Sequence, residues 1–193
     1  YRATLYPGGI LNTGFAVAWT AERQSQAEPY GQGWAKDRAD AGDTVCAENQ
    51  RLRLQNPDLL QLIEDHPFDD PDWFDQIAPG TFVDDIDVPV FLAGAWQDEQ
   101  TGGHFPEMLD RFTSSPHLYA TLVNGLHTES ISLGVLTEYI EFLQLYVAKM
   151  SPDLSRATFA APVLAKAITG VDGLTLPPSS LEDMSYEDAL AAF

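Results

Sequence analysis

The sequence is poor in cysteine and in basic residues. A single cysteine, Cys46, among 193 residues excludes an internal disulfide and a zinc site built from several thiolates, and it favours a reducing compartment such as the cytoplasm. Ten Lys and Arg stand against 29 Asp and Glu, for a formal net charge of −19. This charge would repel phosphate backbones and anionic lipids, so we expect neither nucleic acid nor a membrane surface as a partner.

Three longer patterns are absent as well. No apolar stretch reaches the roughly 18 residues that a membrane-spanning helix needs. No G-x-G-x-x-G or phosphate-loop motif follows a candidate strand, which argues against a nucleotide-binding domain. No G-x-S-x-G occurs, so a hydrolase nucleophile of that type is not part of this sequence. Because the chain begins with Tyr1 rather than Met, we expect the natural N-terminus to lie upstream.

The first part of the chain, residues 1–80, has a helical pattern. With 45% apolar residues overall, the chain can bury a real core. Pro57 is placed to begin a helix and Pro67 to stop it. Apolar residues recur around this helix at a spacing that forms one stripe, namely Leu52, Leu59, Leu62 and Ile63. We therefore predict a helical layer here.

Residues 81–150 alternate between strand and helix patterns. The segments "VPVFLAGA" (88–95) and "HLYATLVN" (117–124) are nearly continuously apolar, as expected of parallel strands covered on both faces. Between them, "PEMLDRF" (106–112) predicts the crossover helix of an α/β fold. The helix predicted after the second strand carries an apolar series at helical spacing: Val135, Leu136, Tyr139, Ile140, Leu143 and Val147. Residues 151–193 show no long period and are interpreted as a connector.

Asp98 and His127 follow the two predicted strands. Because functional groups gather at the carboxyl ends of parallel strands, we expect both side chains at one edge of the sheet. An Asp that accepts a hydrogen bond from one imidazole nitrogen fixes the tautomer of the His and leaves the other nitrogen free to take a proton. The pair is thus a candidate for two members of a hydrolase triad, in the chain order acid then histidine that α/β-hydrolases use.

Other interpretations of these polar residues stay open. Asp98 or Thr101 could simply cap a following helix. Ser130 and Ser132 are interpreted as helix caps rather than nucleophiles, and Cys46 as a small buried apolar residue. The remaining histidines are interpreted as surface or capping residues: His66, His104 and His117.

Three blocks of sequence resemble one hydrolase family. They are "YRATLYPGGILNTGFAVAW" (1–19), "IDVPVFLAGAWQDEQTG" (86–102) and "LVNGLHTES" (122–130). Their order and spacing are similar to those of the CocE/NonD (cocaine-esterase-like) acyl hydrolases and their X-Pro dipeptidyl-peptidase relatives, over roughly residues 1–150. The resemblance implies an α/β-hydrolase domain with a helical cap, Asp98 as triad acid and His127 as base.

The same resemblance implies the substrate-binding residues and what lies outside the chain. Trp19 and Gln100 would line the acyl pocket, Trp96 would lie at the acid loop, and Leu5 stands where relatives can carry an aromatic pocket residue. The nucleophilic Ser and the oxyanion donors of the family would lie upstream of Tyr1. A C-terminal β-sandwich would follow the chain.

The resulting hypothesis is a fragment of a serine hydrolase that cleaves acyl esters or X-Pro peptide bonds. Residues 1–80 would form the cap over the carboxyl edge of the sheet, residues 81–150 the C-terminal part of the α/β-hydrolase core, and residues 151–193 a connector toward a further domain. Its partners would be a small acyl ester or peptide and the remainder of the same hydrolase, without metal or organic cofactor.

The alternative is a non-catalytic binding module, in which an acidic face recognises a basic partner. In such a module Asp98 and His127 would be unpaired, whereas a triad requires a carboxylate oxygen and an imidazole nitrogen roughly 2.6 to 3.2 Å apart.

Overall fold

The computed structural model describes residues 4–193, apart from the side chain of Ile168. Tyr1, Arg2 and Ala3, which belong to the first block of the family resemblance, lie outside the described residues. The chain forms two compact units, Tyr1–Ala78 and Pro79–Phe193. That residues 1–80 act as a cap stays a prediction.

Every regular element described in the first unit is helical. Its α-helices are α1 (Phe15–Ala27), α2 (Gly33–Asp40), α3 (Thr44–Asn49), α4 (Leu59–Asp65) and α5 (Pro71–Phe74), and its 3₁₀ turns are Pro7–Gly9 and Gln50–Gln55. The hydroxyl of Tyr6 donates a hydrogen bond to the carbonyl of Ile63 at 2.8 Å, which ties the start of the unit to α4. The side chain of Gln24 on α1 accepts from the backbone N–H of Leu59 at 3.0 Å, so α1 and α4 are also joined.

The helix predicted between the two prolines is present as α4, but the apolar stripe is shorter than expected. The Asp58 side chain accepts from the backbone N–H of Gln61 and caps the helix, so Pro57 lies just before the cap. Ile63 is 7% exposed, whereas Leu52 is 61% exposed. Leu52 belongs to the separate 3₁₀ turn, and the break at Pro57 prevents the two segments from sharing one face.

The second unit contains a two-stranded parallel sheet. Strand β1 (Val90–Ala95) pairs with β2 (Leu118–Val123) in the register Val90↔Leu118 to Ala95↔Val123. The unit also contains 3₁₀ turns at Pro79–Thr81, Val83–Asp85, Phe105–Arg111 and His127–Ile131. Both predicted strands are thus confirmed, and the mixture of helices with a parallel sheet is compatible with an α/β fold. The crossover is a 3₁₀ turn rather than the predicted α-helix.

Each face of this sheet is partly covered: most strand residues are half-buried, and Ala120 of β2 is exposed. On one face the ring of Phe91 lies 5.8 Å from that of Tyr139 and 5.7 Å from that of Phe142. These two aromatic residues belong to helix α6 (Leu133–Phe142). On the other face Gly94 lies against the ring of Phe105. Coverage from both sides explains why the strands are continuously apolar in sequence.

Helix α6 continues into a π-helical segment, Leu143–Ala148. Its buried apolar residues are Val135, Phe142 and Leu145, whereas the predicted face included three residues that are exposed: Tyr139, Leu143 and Val147. The prediction of that face is therefore wrong at Leu143 and Val147, which lie in the π segment, whereas Tyr139 lies before it and packs against Phe91. A π segment bonds i to i+5 instead of i to i+4, so it shifts the helix phase and turns Leu145 inward instead of its neighbours.

The last part of the chain returns onto this segment. It contains α7 (Ser155–Thr169) and α8 (Tyr186–Ala192), and Leu145 forms a buried cluster with Leu181 and Ala189. The sequence predicted a connector without a long period here, so α7 and α8 correct that prediction, and α7 continues through Pro162. Whether residues 151–193 also connect to a further domain stays a prediction.

One helical run among the described residues, His127–Ala148, is long and apolar enough to cross a membrane by length and composition. This finding differs from the prediction that no stretch of the sequence has the required length and composition. A single run of this kind is weak evidence, because the core helix of a globular protein meets the same criterion.

The close contact at Gly94 generates a first prediction. A Cβ at this position would overlap the ring of Phe105, so we expect Gly94→Ala to destabilise the protein by about 1–3 kcal/mol. Gly134, which lies in α6 with open space around its Cβ position, is the matched control, and Gly134→Ala should stabilise by about 0.5–1 kcal/mol. Urea denaturation of both variants measures the difference. Equal stability of the two variants would contradict the packing described here.

Candidate active site

The site lies where β1 and β2 end. Backbone pairing continues beyond the strands, since the N–H of Trp96 donates to the carbonyl of Val123 at 2.9 Å and the N–H of Gln97 donates to that of Gly125 at 3.0 Å. The chain then turns at Asp98 on one side and at His127 on the other. The two loops, residues 97–101 and 124–130, are thereby held side by side.

The structure brings Asp98 and His127 into contact. Nδ1 of His127 lies 2.7 Å from Oδ2 of Asp98, which is within the predicted range. The Asp98 side chain is 8% exposed and that of His127 is 39% exposed. Because a carboxylate only accepts hydrogen bonds, Nδ1 is the donor and Nε2 of the neutral ring is left with a lone pair. Among residues 4–193 we find no hydrogen bond to Nε2.

Asp98 also closes the turn that follows it. Its Oδ1 accepts from the backbone N–H groups of Gln100 at 2.8 Å and Thr101 at 2.7 Å, and its Oδ2 accepts from the Thr101 hydroxyl at 2.8 Å. Burial raises the pKa of Asp98, but the hydrogen bonds from Thr101, His127 and Gln100 outweigh burial and lower this pKa to about 2. Asp98 thus closes a turn and does not cap a helix, because the next helical element begins at Phe105. The turn is bonded mainly to Oδ1, and the histidine is bonded to Oδ2.

Two glutamates hold the backbone of the histidine loop. Oε2 of Glu99 accepts from the N–H of His127 at 3.0 Å, and Oε2 of Glu129 accepts from the N–H of Leu126 at 2.6 Å. The hydroxyl of Ser130 donates to the carbonyl of His127 at 2.7 Å, so this serine is bonded to backbone rather than to the imidazole. Glu99 was not singled out from the sequence.

The other sequence-predicted residues are placed as follows. Trp96 is 51% exposed, with its ring 6.1 Å from that of Phe105. Gln100 adjoins Asp98, and its side-chain amide donates to Glu99 at 3.3 Å. Leu5, which is half-buried, and Trp19, which is 49% exposed, lie in the first unit, so their part in a substrate pocket stays a prediction.

A cavity that borders the histidine loop at Ser130 is apolar. It has a volume of about 190 Å³ and lies beside α6, and its lining residues are Phe91, Ala93, Ser130, Ile131, Val135, Leu136 and Tyr139. The lining includes neither member of the Asp98–His127 pair, nor Trp96 or Gln100. This cavity therefore does not identify a substrate pocket.

The remaining histidines are engaged elsewhere. Nδ1 of His104 lies 2.8 Å from a carboxylate oxygen of Glu107, and Nδ1 of His66 lies 3.3 Å from that of Asp70. His117 precedes β2, at the end of the sheet opposite to Asp98.

No other residue type in the described chain suggests different chemistry. Cys46 is half-buried, and its thiol lies 3.5 Å from the carbonyl of Ala35. Ser132 precedes α6 at the N-cap position but makes no side-chain cap hydrogen bond, and the Ser130 hydroxyl donates to a carbonyl instead, so the interpretation of both serines as helix caps is wrong. Within residues 4–193 no three His, Cys, Asp or Glu side chains are grouped so that they could hold a metal ion.

Comparison with known proteins gives one match. A family model described as "X-Pro dipeptidyl-peptidase (S15 family)" matches residues 1–129, which include both Asp98 and His127. No curated protein matches the chain, and no solved structure does.

The hydrogen bonds to Asp98 generate a second prediction. A carboxyl whose pKa lies at about 2 instead of the usual 3.8 stabilises the folded state by about 2 kcal/mol above pH 4 or so, and this stability is lost as the pH falls toward about 2. Asp98→Asn should lower the free energy of unfolding at neutral pH. The part of the acid-dependent fall in this free energy that comes from Asp98 should disappear in the variant. The exposed Asp110→Asn is the matched control. Unfolding free energies between pH 2 and 7 measure the effect, and an acid profile unchanged by Asp98→Asn would contradict it.

Proposed function

The chain belongs to the X-Pro dipeptidyl-peptidase (S15) family, and we propose that it forms part of a serine hydrolase in which Asp98 and His127 are two members of a Ser-Asp-His triad. Family membership indicates a hydrolase that acts on peptides. The observation that carries the finer assignment is the 2.7 Å contact between Nδ1 of His127 and Oδ2 of Asp98 at the end of two parallel strands. An ionised, largely buried carboxylate bonded to one imidazole nitrogen is the arrangement that a Ser-His-Asp triad uses to orient its general base.

The proposed mechanism is acyl transfer to a serine. Nε2 of His127 takes the proton of the serine hydroxyl as its oxygen attacks the substrate carbonyl, and Asp98 stabilises the resulting imidazolium. The imidazolium then gives this proton to the leaving alcohol or amine as the acyl–enzyme forms. Water hydrolyses the acyl–enzyme by the same proton transfers through Nε2, which restores the serine hydroxyl.

The serine itself is proposed to lie in sequence upstream of Tyr1. Two observations support this proposal: the sequence contains no G-x-S-x-G, and no hydroxyl or thiol among residues 4–193 is bonded to Nε2 of His127. The hydroxyl of the nearby Ser130 donates its hydrogen bond to the carbonyl of His127 rather than to Nε2. In this proposal the second unit is the C-terminal part of an α/β-hydrolase core and the first unit is its helical cap.

The substrate class is proposed to be an X-Pro peptide bond or an acyl ester. The family description favours the peptide, whereas the resemblance to CocE/NonD enzymes favours the ester. Trp19, Gln100, Trp96 and Leu5 would line the pocket. An acidic module that merely binds a basic partner is the alternative, and the paired geometry of Asp98 and His127 counts against it because binding alone does not require that contact.

Replacement of the base in the intact protein is the third prediction. His127→Ala should lower kcat for an X-Pro or activated ester substrate by roughly 10⁴-fold or more, because the serine loses its proton acceptor. Asp98→Asn should lower kcat about 10⁴-fold, because the Asn side chain no longer holds His127 in the tautomer that can accept a proton at Nε2. The exposed His104→Ala is the matched control and should keep the wild-type rate. Steady-state kinetics measure kcat for all three variants. Wild-type kcat in His127→Ala would show that His127 is not the general base.

The isolated chain supplies the fourth prediction. Residues 1–193 alone should not hydrolyse either substrate, because the covalent route and the oxyanion donors would both be absent. The intact protein is the positive control in the same assay. If the chain alone is active, its own Ser130, Ser132 and Cys46 become the first candidates for the nucleophile.

A further inference from the structure

Glu99 contacts the same histidine as Asp98, but through a different atom. The Asp98 carboxylate binds the imidazole at Nδ1, whereas Oε2 of Glu99 accepts from the backbone N–H of His127 at 3.0 Å. Two consecutive acidic residues on one loop thus hold the ring and the backbone of one residue on the other loop. The side chain of Glu99 is directed to this contact although the residue is exposed.

The contact lies where the loops have no further strand pairing. Backbone pairing between them extends to Gln97 and Gly125, and the Gln97 side chain adds a bond to Asn124 at 3.0 Å. Beyond that point, the described hydrogen bonds that join the two loops are those of Asp98 and Glu99 to His127. The bond from His127 is the first cause of the lowered pKa of Glu99, because this bond favours the ionised carboxylate, which is a strong acceptor.

Two anchors restrict the imidazole more than one does. With the Nδ1 bond alone, the ring could stay on Asp98 while the backbone of His127 moved, and Nε2 would then swing about that bond. With the backbone N–H also held, the position of Nε2 relative to the sheet is defined. Proton transfer in a triad needs Nε2 within about 3 Å of the serine oxygen, and small displacements of reacting groups are costly in rate.

We infer that Glu99 is a positioning residue of the site, which fixes the backbone of His127 so that Nε2 points to the reacting serine. This inference rests on the proposed function for its effect on rate, but not for its effect on the histidine. Positioning of His127 requires a hydrogen-bond acceptor at residue 99 rather than a negative charge. Glu99→Gln should therefore keep the backbone of His127 in place, and Glu99→Ala should release it.

The first test needs no activity. In intact protein labelled with ¹⁵N-histidine, the backbone amide of His127 should exchange with solvent at least about 10-fold faster in Glu99→Ala than in the wild type, since its acceptor is lost. Glu99→Gln should keep the slow exchange. Glu107→Ala, which removes an exposed glutamate that contacts His104 instead, is the matched control and should change nothing at His127. Equal exchange in all four proteins would overturn the inference.

The second test separates positioning from folding. Glu99→Ala should lower kcat roughly 10- to 100-fold with KM within about twofold of wild type, and Glu99→Gln should restore most of kcat. A change in KM alone, or equal losses in the Ala and Gln variants, would overturn the inference and indicate substrate contact or a charge effect. If His127→Ala is fully active, the proposed triad fails, whereas the exchange measurement still decides whether Glu99 holds His127.

Discussion

Parallel pairing of β1 with β2 is the constraint on which the geometry of the site depends. The register Ala95↔Val123 places Asp98 three residues and His127 four residues beyond paired positions. A slip of two residues would move one loop about 6.6 Å along the other, and a slip of one would exchange the two faces of a strand. Either slip would separate Nδ1 and Oδ2, which lie 2.7 Å apart. Packing on both faces of the sheet holds this register. Phe91 of β1 packs against α6 on one face, and the ring of Phe105 packs against Gly94 on the other.

Asp98 joins local structure to chemistry, because its two oxygens serve different purposes. Oδ1 accepts from two backbone N–H groups of its own turn, which fixes the side chain without help from the histidine. Oδ2 is then already oriented toward His127, so little reorganisation is needed to hold an imidazolium when one forms. The sequence allowed a helix cap as an alternative to a triad acid, but the structure has a turn rather than a helix after Asp98. The hydrogen bonds of this turn are part of what would make the acid effective.

The strands and the Asp98–His127 pair were predictable from sequence, because strands buried on both faces are continuously apolar and the polar residues that follow such strands meet at one edge. The end of α6 was not predictable, since the π segment after Leu143 changes the phase of the helix without a sequence signal. Glu99 was missed for a related reason. Its partner is a backbone N–H 28 residues away, and such a contact leaves no spacing pattern. The pocket residues Trp19 and Leu5 depend on tertiary arrangement and stay predictions.

The central claim is that His127, oriented by Asp98, activates a serine of the same protein. The most direct measurement is covalent labelling of the intact protein with a fluorophosphonate, which reacts only with a serine that a base has activated, followed by peptide mapping. The account predicts one labelled serine, located upstream of Tyr1, and at least about a thousandfold slower labelling in His127→Ala. A label on Ser130 or Ser132, or an unchanged labelling rate in the variant, would contradict it.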